Sequence, residues 1–141
     1  MKKLKMKSRE EIARINYLIG VTSREVGHGN ERRVVAAYTT DCPKGSCPPW
    51  IKSVRLANQQ EDRAGTDIVF EVSSDSRHDK VLLQVKSSKA GQGKFQSKQR
   101  DGRVDRRIVT AIIHPKYDFC MIRKIITPII SAEWRRMLLK D

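Results

Sequence analysis

The stretch "GTDIVFEV", Gly65–Val72, is followed after a short polar interval by "VLLQVKSS", Val81–Ser88. Successive side chains of a β-strand point to opposite faces, and both runs place an apolar residue at every second position. The apolar faces hold Ile68, Phe70 and Val72 in the first run and Val81, Leu83 and Val85 in the second. We therefore predict two adjacent strands, with Asp67 on the opposite face of the first and Gln84 and Lys86 on the opposite face of the second.

The segments around this pair alternate between strand and helix patterns. Strands are predicted at "WIKSVRLA" (50–57), "RIVTAIIHP" (107–115) and "YDFCMIRKII" (117–126). Helices are predicted at "ERRVVAAY" (31–38), over about Lys94–Arg100 and at "SAEWRRMLLK" (131–140), and "NQQEDRAG" (58–65) is predicted to be a polar turn. This order predicts an α/β fold with a central mixed β-sheet flanked by helices.

The chain has 141 residues, enough for one domain with its own core. We predict a basic arm and an N-terminal helix in residues 1–19, the core in 29–113, and a C-terminal strand and helix in 114–141. The C-terminal helix places Trp134 and Leu138 on one stripe, which adds a homodimer as a hypothesis. No internal repeat or long linker divides the sequence.

The chain carries a large positive charge, with 29 Lys and Arg against 16 Asp and Glu and a net charge of +13. Such an excess attracts polyanions, of which nucleic acid is the commonest soluble example and anionic membrane the alternative. Because no apolar run is long enough for a signal peptide or a membrane span, we predict a cytoplasmic protein without membrane attachment. Its three cysteines are an odd number, which agrees with a reducing compartment.

The stretch from Lys89 to Arg107 is especially basic, with seven Lys or Arg against Asp101 and Asp105. Together with the helix at 31–38 it predicts a surface that follows phosphates. The residues predicted to bind nucleic acid are Arg32, Arg33, Lys89, Lys94, Lys98, Arg100 and Arg103. Phe95 is the one aromatic residue in the stretch, so duplex or branched DNA fits better than single-stranded bases stacked on aromatic rings.

The polar residues of the two quoted strands suggest a chemical site. If their faces coincide, the carboxylate of Asp67, the amide of Gln84 and the ammonium of Lys86 converge. Oxygen ligands of this kind suit Mg²⁺, which takes one or two carboxylates plus waters and substrate phosphate. A neighbouring lysine can hold or deprotonate a water and stabilise charge on the phosphate. Glu31 lies on the packed stripe of its helix, where a metal or Lys86 would supply the partner that a buried carboxylate needs.

In this pattern the chain resembles the PD-(D/E)xK nuclease superfamily, the restriction-endonuclease-like fold that also includes Holliday-junction resolvases. Glu31 matches the family's helical Glu, Thr66-Asp67 matches the "PD" position, and Gln84-Val85-Lys86 matches the (Asp/Glu/Gln)-x-Lys motif. The resemblance covers roughly residues 29–113 in the order α-β-β-β-α-β. Thr66 stands where the family name has Pro, and Gln84 replaces the usual acid, which removes one negative charge from the ligand set.

The resemblance implies Mg²⁺-dependent hydrolysis of a DNA phosphodiester bond, with Mn²⁺ able to substitute. It implies that Asp67, Gln84 and Glu31 hold the metal and that Lys86 positions the nucleophilic water. Repair, recombination and restriction endonucleases all remain open. The alternatives are a non-catalytic nucleic-acid-binding protein that keeps this fold and, more weakly, an RNA-binding module.

Some polar residues also have ordinary structural interpretations. Asp67 can cap a turn, and Glu31 can be stabilised by a helix dipole without any catalytic role. We interpret Glu61 and Asp62 as loop charges. The Cys42-x₄-Cys47 spacing invites a zinc interpretation but lacks a second ligand pair, and structural cysteines are the preferred interpretation.

Overall fold

The structure is a computed structural model and describes residues 29–39, 47–73 and 78–139. A helix, α1, covers residues 29–39. The elements that follow are β1 (Ile51–Leu56), α2 (Gln59–Arg63), β2 (Ile68–Val72), β3 (Lys80–Lys86), α3 (Lys89–Arg100), β4 (Val109–Ile112) and α4 (Phe119–Leu139). The predicted basic arm and N-terminal helix of residues 1–19, like Cys42, lie outside the described residues.

The four strands form one mixed sheet in the order β1-β2-β3-β4. The pairs β1/β2 and β2/β3 are antiparallel, whereas β3 and β4 are parallel and are connected by α3. In the β2/β3 pair, Ile68 lies opposite Leu83 and Phe70 opposite Val81, so the two apolar faces coincide. The predicted α/β class, with a central mixed sheet flanked by helices, is confirmed.

One face of the sheet, lined by the predicted apolar residues, packs against α1 and α4. The Tyr38 ring of α1 meets Phe70 edge-on, with centroids 5.2 Å apart. Tyr38 also lies 2.7 Å, hydroxyl to hydroxyl, from Thr127 of α4, and the Arg123 guanidinium donates a 2.7 Å hydrogen bond to the Ala37 carbonyl. These contacts hold α1 against α4 and so determine how α1 lies on the sheet.

The other face of the sheet carries α3. Phe95 is the buried residue of this helix. The Gln92 amide of α3 donates a 2.9 Å hydrogen bond to the Thr110 hydroxyl, and Thr110 is the β4 neighbour of Gln84. Adjacent residues in a ladder point to the same face, so α3 lies over the face that bears Gln84 and Lys86.

Helix α3 begins at Lys89, five residues before the predicted start at Lys94. Two glycines in the first half of the segment had limited the prediction, because glycine weakens helices. The structure adds an N-cap: the Ser88 hydroxyl accepts a 3.1 Å hydrogen bond from the Gly91 amide. This cap and the packing of Phe95 on the sheet stabilise the helix and compensate for its two glycines.

Gly93 offers a direct test of this explanation. Its φ is not positive, and a Cβ placed there would meet no heavy atom within 4 Å. We expect Gly93→Ala to raise the free energy of unfolding by about 0.5–1 kcal/mol, measured by urea denaturation. Gly65→Ala is the contrasting variant because Gly65 has φ 104°, and it should destabilise the protein. A destabilising Gly93→Ala would contradict the helical assignment.

The predicted strand at 117–126 is wrong, because these residues lie in or just before α4, which runs from Phe119 to Leu139. The β-branched isoleucines of this segment favour a strand by propensity. In the structure Ile122, Ile126 and Ile130 follow one another at helical spacing and are fully buried in the core. The Asp118 carboxylate accepts a 2.8 Å hydrogen bond from the Met121 amide and so stabilises the first turn. Residues 114–141 therefore contribute a helix and no strand within the part that is described.

The predicted turn at 58–65 also contains a helix. Asn58 and Glu61 form a reciprocal capping box at the start of the short α2. The Asn58 side chain accepts a 2.8 Å hydrogen bond from the backbone amide of Glu61, and the Glu61 carboxylate accepts a 2.9 Å hydrogen bond from the backbone amide of Asn58. Only three residues separate this short helix from Asp67.

Trp134, predicted to lie on a possible interface stripe of α4, stacks on Trp50 with ring centroids 5.1 Å apart. Its ring is therefore used within the chain, while Leu138 is exposed. The homodimer stays a prediction.

None of the helices in the described ranges combines the length and the apolar character needed to cross a bilayer.

Candidate active site

Asp67 and Gln84 lie side by side where β2 begins and β3 ends. The Asp67 amide donates a 2.9 Å hydrogen bond to the Leu83 carbonyl, which continues the β2/β3 ladder by one residue. The Asp67 carboxylate accepts a 2.8 Å hydrogen bond from the Val85 amide. Asp67 is only 8% exposed. This bond joins the Asp67 carboxylate to β3 and not to the turn after Gly65, and the carboxyl has a second oxygen that the bond does not use.

Asp67, Gln84 and Lys86 line one pocket of about 300 Å³ at this edge of the sheet. The rest of the lining comes from α2 and the turn after it, from α3, and from the loop that follows α3. These residues are Asp62, Arg63, Ala64, Gly65, Phe95, Lys98, Arg103 and Val104. The structure thus brings together the three polar residues that the strand pattern placed on one face.

Glu31 reaches the same place from the opposite side of the sheet. Its helix is attached by Asn30, a residue 3% exposed, whose amide donates a 3.0 Å hydrogen bond to the Ile113 carbonyl just after β4. Glu31 is half-buried, forms a side-chain hydrogen bond with Asp67, and lines with it a second pocket of about 190 Å³. Asp67 therefore stands between two pockets, one shared with Lys86 and one shared with Glu31.

The two carboxyl groups hold a proton more tightly than isolated ones. Burial raises the pKa of Asp67 to about 7, and the negative charge of Glu31 adds to the effect, while the Val85 amide and Lys86 oppose it. Burial also raises the pKa of Glu31, although the hydrogen bond to Asp67 acts in the opposite direction. Two acids that cannot both ionise at low cost share a proton. A bound cation would relieve the same repulsion.

Lys86 interacts electrostatically with both carboxyl groups. Its ammonium nitrogen lies 5.5 Å from the centre of the Phe95 ring. Lys86 ends β3, and its backbone carbonyl accepts a 2.8 Å hydrogen bond from the Ile113 amide. Backbone pairing thus fixes the point from which the Lys86 side chain extends, and its charge acts on both carboxyl groups.

Glu61 and Asp62, the two acidic residues of α2, have different roles. Arg55 donates hydrogen bonds of 2.7 and 3.0 Å to the two oxygens of Glu61, and these bonds lower the pKa of Glu61 to about 2. Glu61 is thus engaged in structure. Asp62 is exposed, lines both pockets, and its charge acts on both Glu31 and Asp67. The sequence alone does not predict this placement, because it depends on α2 being a helix.

The predicted nucleic-acid-binding residues form two groups. Lys98 and Arg103 line the pocket with Lys86 and are joined there by Arg63, which was not predicted. Arg103 also donates a 2.9 Å hydrogen bond to Asp101, an exposed pair worth little to stability. The others lie outside the pocket: Lys89, Lys94 and Arg100 are exposed on α3, and Arg32 is exposed on α1.

Arg33 is less available than this prediction requires. It is half-buried, and its guanidinium donates a 3.3 Å hydrogen bond to the Asn30 side chain. Since Asn30 attaches α1 to the end of β4, Arg33 has a structural contact that its neighbour Arg32 is not seen to share.

The site offers carboxylate and amide oxygens, which are ligand types that Mg²⁺ binds. Asp67 and Glu31 offer two carboxylates that repel each other when ionised, and Gln84 offers an amide oxygen. Across residues 29–39, 47–73 and 78–139, no three His, Cys, Asp or Glu side chains are arranged to hold a metal by themselves. Waters and a substrate phosphate would have to complete the shell, as is usual for Mg²⁺.

The zinc interpretation finds no support. Cys47 is disulfide-bonded, so its sulfur is not available as a thiolate ligand, and this bond does not agree with the reducing compartment inferred from the odd number of cysteines. Cys120 is a free, exposed cysteine on α4. Structural zinc sites of this type are characterised by thiolate ligands.

Comparison of the chain with protein-family models, curated proteins and solved structures gave no match.

Proposed function

We propose that the protein is a metal-dependent nuclease that hydrolyses DNA phosphodiester bonds, with a PD-(D/E)xK type of active site. The observation that supports this most is the convergence of Asp67, Gln84 and Lys86 on one pocket, with Glu31 hydrogen-bonded to Asp67. These residues come from a helix and two strands, and Glu31 is far from Asp67 in the chain. Solvated surface charges would not need to meet in this way.

In this proposal the carboxylates of Asp67 and Glu31 and the amide oxygen of Gln84 hold Mg²⁺. The chemistry that a bound Mg²⁺ supplies is polarisation of a phosphoryl oxygen. The neutral Gln84 contributes less electrostatic attraction than a carboxylate would, so the negative charge of Glu31 is needed at the site. The raised pKa of Asp67 means that metal binding must displace a proton near neutral pH.

Lys86 acts on the substrate and on water. Its ammonium offers three hydrogen-bond donors and a positive charge next to the carboxyl pair. In the proposed reaction it orients the attacking water and stabilises the negative charge that develops on the phosphate. Asp67 is held at one oxygen by the Val85 amide, so its other oxygen keeps a defined direction.

DNA is the proposed substrate because of the charge around the pocket. Arg63, Lys98 and Arg103 line the pocket together with Lys86, and the chain carries a net charge of +13. Phe95 is 6% exposed and faces Lys86, so it offers little ring surface for stacking on a base. This favours recognition of the phosphate backbone in duplex or branched DNA.

The pocket cations should affect binding in a specific way. We expect Lys98→Ala and Arg103→Ala each to weaken DNA binding to a similar extent on all sequences and to reduce the slope of log K against log salt by about 1. Lys124→Ala, which removes an exposed charge on α4, is the matched control. Equal slopes for the pocket variants and the control, measured by fluorescence anisotropy, would argue against a phosphate contact at the pocket.

Cleavage assays test the proposed activity. The protein is incubated with linear, supercoiled and four-way-junction DNA in Mg²⁺ or Mn²⁺, beside Asp67→Ala and Lys86→Ala. Cleavage by the wild type that both variants lose would support the nuclease. Tight, salt-sensitive binding without cleavage in either metal would favour the alternative, a non-catalytic binding protein in which Gln84 marks the lost activity.

Two further features belong to the proposal. The cytoplasmic location stays a proposal, which the absence of a membrane-length apolar run from the sequence supports and the disulfide bond of Cys47 does not. A homodimer would give such a small nuclease access to both strands of a duplex. Sedimentation velocity with and without DNA tests the dimer.

A further inference from the structure

The side chain of Lys86 passes over the start of α3. A Cβ placed on Gly91 would lie 3.6 Å from the Lys86 Cδ, which is ordinary contact distance. The stem therefore follows the first turn of the helix, and the ammonium nitrogen ends 5.5 Å from the centre of the Phe95 ring. A cation at this distance from a ring is attracted by the electron-rich face of the ring.

Phe95 is itself tightly held. It is 6% exposed and lines the pocket with Lys86 and Asp67. Gly65 lies against it with φ 104°, and a Cβ there would come within 3.3 Å of the ring and 3.2 Å of the Val104 side chain. The missing Cβ of Gly65 thus leaves the space that the ring occupies, next to the turn that leads into Asp67.

We propose that Phe95 is a positioning residue that keeps the ammonium of Lys86 in the pocket, directed at Asp67 and Glu31. A lysine has four rotatable bonds, and Asp62 on the same pocket offers its ammonium an exposed competing partner. A buried aromatic face in the pocket lining restricts the ammonium to the region between the strand end and α3. Phe95 does not touch the substrate in this proposal, and only the role given to Lys86 rests on the proposed function.

Side-chain dynamics test this proposal without reference to activity. In protein labelled with ¹³C-lysine, ¹³C relaxation of the Cε group reports how restricted each ammonium is, and Lys86→Arg assigns the Lys86 signal. We expect a restricted Lys86 in the wild type and in Phe95→Tyr, and a mobile one in Phe95→Leu. Lys52, exposed on β1, provides the reference for a mobile lysine. A Lys86 signal that is as restricted in Phe95→Leu as in the wild type would overturn the proposal.

Phe95→Met is a second variant without a ring, for use if Phe95→Leu does not unfold cooperatively. In cleavage assays we expect both variants to lower kcat by about 10- to 100-fold with little change in KM, because misplacement of a reacting group affects the chemical step. A rise in KM at constant kcat would indicate that Phe95 has a merely structural or binding role and would contradict the positioning role. If the wild type cleaves no DNA, the nuclease proposal fails, whereas the relaxation data still decide whether Phe95 positions Lys86.

Discussion

Replacing Lys86 by alanine is expected to slow DNA cleavage by about 10²- to 10⁴-fold, the range for removal of a group that transfers a proton or stabilises charge in the transition state. Lys86 stands beside Asp67 and Glu31 and lines the pocket proposed to receive the scissile phosphate. Single-turnover cleavage at saturating protein measures the effect on the chemical step alone.

The fold should survive this substitution. Lys86 is half-buried, and the hydrogen bond that holds its strand to the end of β4 uses the backbone carbonyl, which alanine keeps. Lys86→Arg retains the charge but replaces a compact ammonium with a planar group, so we expect it to recover binding more than rate. Lys124→Ala is the control for loss of one positive charge. A Lys86→Ala protein that cleaves as fast as the control would exclude Lys86 from the reaction.

Replacing Asp67 by asparagine is expected to stabilise the metal-free protein above pH 7, by on the order of 2–4 kcal/mol. Asparagine keeps the shape of the side chain, can still accept the hydrogen bond from the Val85 amide, and can donate one to Glu31. It removes a buried charge that burial and the charge of Glu31 make unfavourable.

The pH dependence of this stabilisation follows from the pKa of Asp67, which is raised from 3.8 to about 7 in the folded protein. Between these values the unfolded chain has released the proton and the folded chain still binds it, so the folded state loses stability as pH rises. The loss is complete above the folded pKa and absent below about pH 4. The gain from Asp67→Asn should therefore be small at pH 4 and greatest at pH 8.

Urea denaturation at pH 4, 6 and 8 measures this gain. Asp79→Asn, at an exposed carboxylate before β3, is the matched control and should show no comparable rise between pH 4 and pH 8. Adding Mg²⁺ at pH 8 should raise the stability of the wild type and narrow its difference from Asp67→Asn, because the ion binds the ionised carboxylates of the folded state. A gain from Asp67→Asn that does not depend on pH would contradict the raised pKa of Asp67.

Prediction from the sequence is right where a single local rule is sufficient. The alternation of side chains placed Asp67 on one strand face and Gln84 and Lys86 on another, and the observed register of β2 and β3 joins these faces. It failed for α4, where isoleucines favour strands by propensity but are buried at helical spacing in the core. It failed for the start of α3 because the Ser88 cap offsets the weakness of two glycines.

The sequence alone predicts the α/β class, the strand pair at the centre of the sheet and the common face of Gln84 and Lys86, because a period of two residues depends only on backbone geometry. It also determined the excess of positive charge. The three-dimensional packing was needed to show that Glu31 meets Asp67, that Asp62 joins them, and that Phe95 lies under Lys86. Each of these contacts depends on how a helix docks on the sheet, which results from the packing of the whole core and from no local pattern.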